Sequence, residues 1–173
     1  MPLRNRHIIP RAHGLELNSR GEIRGTVSAV WNHNVELLTP ITIANRTFQV
    51  VLDTGSADMW LFCTDGDDHM EANREAYNPA TGKRLKSTED GKDASFSIKY
   101  GLGYAKGHVY TDKVTMGGIQ VDQAIGCATS VSQSDVDDRN LDGLMGLAFN
   151  SGSKLLQQPP QLPTATKSAF NSG

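Results

Sequence analysis

The chain has 173 residues, 38% of them hydrophobic and 21% charged, which is enough apolar material for one domain with its own core. A net charge of −2 gives no electrostatic footprint for nucleic acid. No apolar run approaches the ~18 residues of a membrane helix, so no membrane span is expected.

Residues 1–25 form a basic leader, with Arg4, Arg6, Arg11, Arg20 and Arg24 against Glu16 and Glu22, and leave the remainder acidic. This segment reads as a flexible arm, or as one that docks on the body by charge. Its start, MPLRNRHIIPRAHG, lacks the apolar stretch of ~7–15 residues found in secretory signals, which leaves the compartment open. ELLTPITIA (36–44) and RTFQVVLD (46–53) read as strands joined by a tight turn at Ala44-Asn45, and MWLFC (59–63) as a short buried strand. Residues 64–93 are polar and rich in turn formers, which predicts a long loop with little core. In ASFSIKYG (94–101), Phe96, Ile98 and Tyr100 share one face and Ser95, Ser97 and Lys99 the other, the period of a strand. YGLGYAKG (100–107) reads as a hairpin tip, and residues 108–130 as strands around a Gly117-Gly118 turn. LDGLMGLAF (141–149) is apolar with interspersed glycines, and 151–173 is an irregular or short-helical tail. The whole reads as a mostly-β chain with the body at 26–150.

Cys63 and Cys127 are the only cysteines, and two alone favour unpaired thiols over a disulfide. Asn45-Arg46-Thr47 is a glycosylation sequon, relevant if the chain enters the secretory pathway. His7, His13, His33, His69 and His108 are dispersed without zinc-type spacing, and no phosphate-cradling glycine loop with lysine is present. No metal or cofactor is expected.

The chemistry concentrates in VVLDTGSADMW (50–60). A buried strand ends on a carboxylate, Asp53, although an unpaired charge is costly in apolar surroundings. Gly55 permits a tight turn that aims N–H groups back at the carboxylate, and Ser56 is placed to add a hydroxyl.

Four ordered stretches, LLTPITIANRTFQVVLDTGSADMWLF, YNPATGK, FSIKYGLGYAKGHVYTDKVTMGGI and NLDGLMGLAF, resemble the N-terminal lobe of pepsin-like aspartic proteases, most of all the secreted fungal group. The resemblance runs from about Thr26 to about Phe170 and implies a half-barrel acid-protease lobe. It implies that Asp53 is the catalytic aspartate of this lobe. Thr54 would tie the active-site loops of two lobes together, Gly55 would be the turn glycine, and Ser56 would hydrogen-bond the catalytic carboxylate. Tyr100 matches the tyrosine of a flap that closes over substrate, and Trp60 the tryptophan whose ring N–H supports it. Gly101 and Gly103 match flap backbone positions that contact an extended peptide. Fungal relatives usually read Tyr-Gly-Asp-Gly-Ser in the flap, so Leu102 replaces an acid, Tyr104 and Lys106 add bulk and charge, and the tip is shorter. The family's basic prosegments usually block the site through a lysine, yet no lysine precedes Asp53.

Family chemistry uses two carboxylates, one ionised and one protonated. The acids in TDG (64–66), EDG (89–91) and LDG (141–143) do not repeat Asp-Thr/Ser-Gly, and Asp142 belongs to the bracing strand. The resemblance therefore implies a peptide or protein substrate and a second Asp53, from a dimer mate, or a separate second lobe. The alternative is a truncated, non-proteolytic lobe that binds a partner or uses Asp53 in another reaction. Relatives are secreted or vacuolar.

Overall fold

The computed structural model describes residues 16–17, 23–24, 29–32, 36–66, 74–86, 91–100, 103–138 and 140–148. In the leader, β1 (Glu16–Leu17) and β2 (Ile23–Arg24) pair antiparallel in a ribbon of their own, so part of the segment read as a flexible arm has paired backbone. The tail at 151–173 lies outside the described residues.

β3 (Val30–Asn32) pairs with β4 (Glu36–Ile43), which turns directly into β5 (Arg46–Asp53). The two turn residues, Ala44 and Asn45, have φ of 46° and 64°, the left-handed pair that matches the twist of a two-residue hairpin. β6 (Met59–Phe62) is buried at all four positions. A 3-10 turn at Pro79–Thr81 is capped by Asn78, whose side chain accepts the Ala80 N–H, and leads to β7 (Lys83–Arg84). β8 (Ser95–Tyr100), β9 (Gly103–Met116) and β10 (Ile119–Val131) follow, then a short helix, α1 (Gln133–Asp137), and β11 (Gly143–Gly146). Gly117 and Gly118, with φ of 59° and 83°, make the predicted turn between β9 and β10. Pairing of β8 with β9 runs up to Tyr100 opposite Gly103. Residues 103–107, read from sequence as hairpin tip, belong to β9.

Consecutive pairing runs β4–β5–β11–β6–β10–β9, and Thr42 and Ile43 of β4 also pair with Thr115 and Val114 of β9. Six strands thus close into a barrel, which leaves no free edge among them. Strand alternation then sorts the side chains. Ile41, Ile43, Phe48, Val50, Met59, Leu61, Val114, Ile125 and Met145 fill one cluster, drawn from all six strands. Trp60, Phe62, Val51, Val109 and Ala128 form a second on the opposite face, covered by β8 through Phe96. Both faces of β6 are therefore buried, which explains why it carries no polar residue. Each such side chain contributes roughly 1.5–3 kcal/mol.

Two expectations are overturned. Cys63 and Cys127 are joined as a disulfide rather than left as thiols. β6 and β10 run parallel with Leu61 opposite Cys127, and the two cysteine Cα atoms lie 5.0 Å apart, within bridging range. A sequence separation of 64 hides that neighbourhood. The region 64–93 is also not without core. Tyr77 is fully buried in the barrel cluster, bridges Cys63 through its backbone, and donates its hydroxyl to Asp112 at 3.2 Å. Ala76 and Arg74 are buried beside it. Polar flanks concealed one strongly anchored aromatic.

Candidate active site

Asp53 is the last residue of β5. The chain turns through Thr54 and Gly55 and returns as β6, so the two strands are legs of one loop. β11 lies between them, parallel to β5 with Gly146 opposite Asp53, and antiparallel to β6 with Leu144 opposite Trp60. Beyond β11 the backbone zips onto the loop. Leu147 N–H donates to the Asp53 carbonyl at 2.7 Å, Ala148 N–H to that of Ser56 at 2.8 Å, and Gly146 N–H to that of Asp58 at 2.9 Å. This approach requires glycine. A Cβ on Gly146 would lie 2.6 Å from Asp58 N and Ser56 O. The loop carrying Asp53 is thus braced from below by three backbone bonds.

Asp53 is half-buried, and its Oδ1 accepts the Gly55 N–H at 2.8 Å. Among the described residues its Oδ2 has no hydrogen-bond partner. Thr54 and Gly55 are exposed at the turn. The Ser56 hydroxyl, expected on the carboxylate, is buried without a partner among the described residues.

Trp60 is 1% exposed and meets Phe62 edge-on at 5.5 Å. Its ring N–H, expected to support Tyr100, is buried with no partner among the described residues. Tyr100 instead donates its hydroxyl to Asp135 Oδ2 at 2.9 Å. Burial, and then the Asp135 carboxylate, hold the Tyr100 phenol well above the usual tyrosine range, so it stays a donor. The carboxylates of Glu36 and Asp53 add to the effect in smaller measure. Gly103 is buried opposite Tyr100, whereas Gly101 and Leu102 lie outside the described residues.

Sequence reasoning missed Ser132, Asp135 and Arg74. The first two carry a legible signal, Ser-x-x-Asp, a helix-start pattern. Nothing in the sequence points to Arg74.

Asp142 is buried, and its two oxygens accept the Gln49 N–H at 2.7 Å and the Glu75 N–H at 3.1 Å. It precedes β11, four residues from Gly146, or about 13 Å along a strand from the register of Asp53. It is a structural acid and not a partner carboxylate. Burial raises its pKa to about 6, against the two N–H bonds and Arg74, which lower it. A raised carboxylate pKa means that the folded state holds a proton that the unfolded state releases. This contribution to stability is therefore full below about pH 4 and is lost as pH rises to about 6, a difference of about 3 kcal/mol. Asp142→Asn is expected to flatten that slope in denaturant titrations across this window. It should also destabilise the fold by about 1–3 kcal/mol, since an amide accepts only one of the two N–H bonds.

A sequence model of the family described as eukaryotic aspartyl protease matches residues 37–164. Penicillopepsin-1 of Penicillium rubens is 40% identical over 130 residues, covering 73% of this chain and 31% of the relative. Penicillopepsin-1 of Penicillium janthinellum is 43% identical over 119 residues, 67% of this chain and 35% of the relative. Aspartic protease PEP3 of Coccidioides posadasii is 38% identical over 138 residues, 79% and 30% respectively. The chain thus spans about a third of the length of these curated relatives. With the matched span enclosing the Asp53 loop, the β8–β9 hairpin and the bracing strand β11, the chain belongs to the eukaryotic aspartyl protease family.

Proposed function

We propose that this chain supplies one catalytic carboxylate, Asp53, to acid-type hydrolysis of peptide bonds, and that a second carboxylate comes from another lobe. The observation that carries the reading is the braced loop, which presents Asp53 half-buried with one oxygen tied to Gly55 N–H and the other without a hydrogen-bond partner among the described residues. In such a pair, like-charge repulsion keeps one carboxyl protonated. The ionised member takes a proton from a water as that water adds to the scissile carbonyl. The protonated member polarises the carbonyl oxygen, and a proton passes to the leaving nitrogen. One carboxylate cannot fill both roles. Asp142, a buried acid beside the motif strands, sits at the wrong end of β11.

The second carboxylate would come from Asp53 of a symmetric mate across a two-fold axis, or from a second lobe on the same or a separate chain. Thr54, exposed at the turn, would meet that lobe. The substrate would be an extended peptide or protein segment lying between Asp53 and the β8–β9 hairpin.

Sedimentation combined with a quenched-peptide assay from about pH 3 to 7 tests the reading. The expected result is cleavage in acid by the assembled species, blocked by a statine-type transition-state mimic, and none by the monomer. An assembled, folded species that cleaves no peptide at any of these pH values would overturn it in favour of an accessory lobe.

A further inference from the structure

We propose that Asp135, at the start of α1, is the positioning residue of the β8–β9 hairpin, which the function proposed above sets over Asp53, and that it takes the hold that Trp60 does not make. The clamp itself stands on geometry; only its consequence for peptide binding rests on the function proposed above.

Ser132 and Asp135 occupy the positions of a helix capping pair. Neither serves its own helix in that way, as Ser132 makes no side-chain capping bond. Forgoing a cap costs about 1 kcal/mol. The side chains are turned onto the hairpin instead. Ser132 Oγ donates to Asp135 Oδ2 at 2.6 Å and accepts the Tyr104 N–H at 3.2 Å. Asp135 Oδ2 also accepts the Tyr100 hydroxyl at 2.9 Å. Ser132 N–H donates to the Tyr104 carbonyl at 3.0 Å. Residues 100 and 104 lie on the two strands either side of the tip, so both legs are gripped at the same level.

The grip leaves no spare room. A Cβ on Gly103 would lie 2.8 Å from both Ser132 Oγ and Tyr100 Cε2, and 3.2 Å from Asp135 Oδ2. Glycine at this position lets the hairpin seat against the serine–aspartate pair. From behind, Arg74 Nη1 donates to the carbonyls of Leu141 at 2.8 Å and Asp135 at 3.4 Å, with its guanidinium 3.9 Å over the Phe62 ring. The helix start is thereby fixed to the barrel, and Tyr100 is fixed to the helix start. A peptide entering over Asp53 would meet a roof already set in height, which lowers the ordering cost of binding.

The test uses Asp135→Ala, Asp135→Asn and Tyr100→Phe in the full chain, with circular dichroism as the folding control. Resonance Raman spectra report whether a tyrosine hydroxyl donates to a strong acceptor. The wild type should show two such tyrosines, Tyr77 on Asp112 and Tyr100 on Asp135, and the Tyr100 component should be absent in Tyr100→Phe and in Asp135→Ala while the Tyr77 component persists. Asp135→Asn, which keeps an acceptor oxygen, should retain a weaker form. Amide exchange at Tyr104 should quicken about tenfold in Asp135→Ala. In the assembled protease KM should rise about tenfold, with kcat changed by less than about threefold, and Asp135→Asn should recover part of the loss. If Asp135→Ala does not fold, Asp135→Asn carries the same comparisons. An unchanged tyrosine signature and unchanged Tyr104 exchange in a folded variant overturn the clamp. A lost signature with unchanged KM overturns its role in peptide binding. A wild type that shows the signature but cleaves nothing overturns the proposed function and leaves the clamp standing.

Discussion

Asp53→Asn is expected to lower peptide cleavage by the assembled protease about a thousandfold or more, while leaving the lobe folded. An amide cannot take the proton from an attacking water, so the loss should fall on kcat. The amide oxygen can still accept the Gly55 N–H that Oδ1 now accepts at 2.8 Å. The loop backbone is held by Gly146, Leu147 and Ala148 rather than by the carboxylate, so unfolding free energy should change by about 1 kcal/mol at most. Steady-state kinetics on a quenched peptide, with thermal unfolding of the same samples, check both halves. Retained cleavage in a pure Asp53→Asn preparation would move the catalytic assignment elsewhere. Cleavage lost together with folding would mean that the carboxylate is structural.

The second large effect is on stability. Removing the Cys63–Cys127 disulfide in a Cys63→Ala/Cys127→Ala variant is expected to cost about 4 kcal/mol in the chain-entropy account, because the bridge closes a loop of 64 residues. Both cysteines also sit in the barrel cluster with Met59, Leu61 and Ile125, so truncation removes packing as well. That amount is a large share of the 5–15 kcal/mol typical of a domain. Chemical denaturation of the variant beside the oxidised wild type should show a much lower midpoint. Equal midpoints would show that the barrel holds without the bridge. The measurement also bears on compartment, since a disulfide of this structural weight suits an oxidising environment.

Much of the site was legible because its determinants are local. The Asp53 turn needs a strand end, a glycine and small polar residues in sequence, and these are contiguous. The β8 strand was legible through alternation in residues 95–100, and a flap there was implied by the family resemblance alone. The partners of Tyr100 were not legible. Its hydroxyl meets Asp135 rather than Trp60 where Gly103 seats against Ser132 and Arg74 joins the carbonyls of Asp135 and Leu141. These residues come from four separate stretches of chain. For Asp142, membership of the bracing strand was already legible in the sequence, but not the Gln49 and Glu75 N–H groups whose hydrogen bonds its carboxylate accepts.

By itself the sequence determined the strand periods, the tight turns at 44–45 and 117–118, the family, and the carboxylate that ends β5. Each of these is written in neighbouring residues, through side-chain alternation and the backbone freedom of Gly and Asn. Only the tertiary structure decided that the strands close through β4 and β9, that Cys63 meets Cys127, that Tyr77 fills a barrel, and that the Tyr100 hydroxyl meets Asp135. Those outcomes depend on contacts between segments tens of residues apart, where packing selects among partners that local chemistry leaves equivalent.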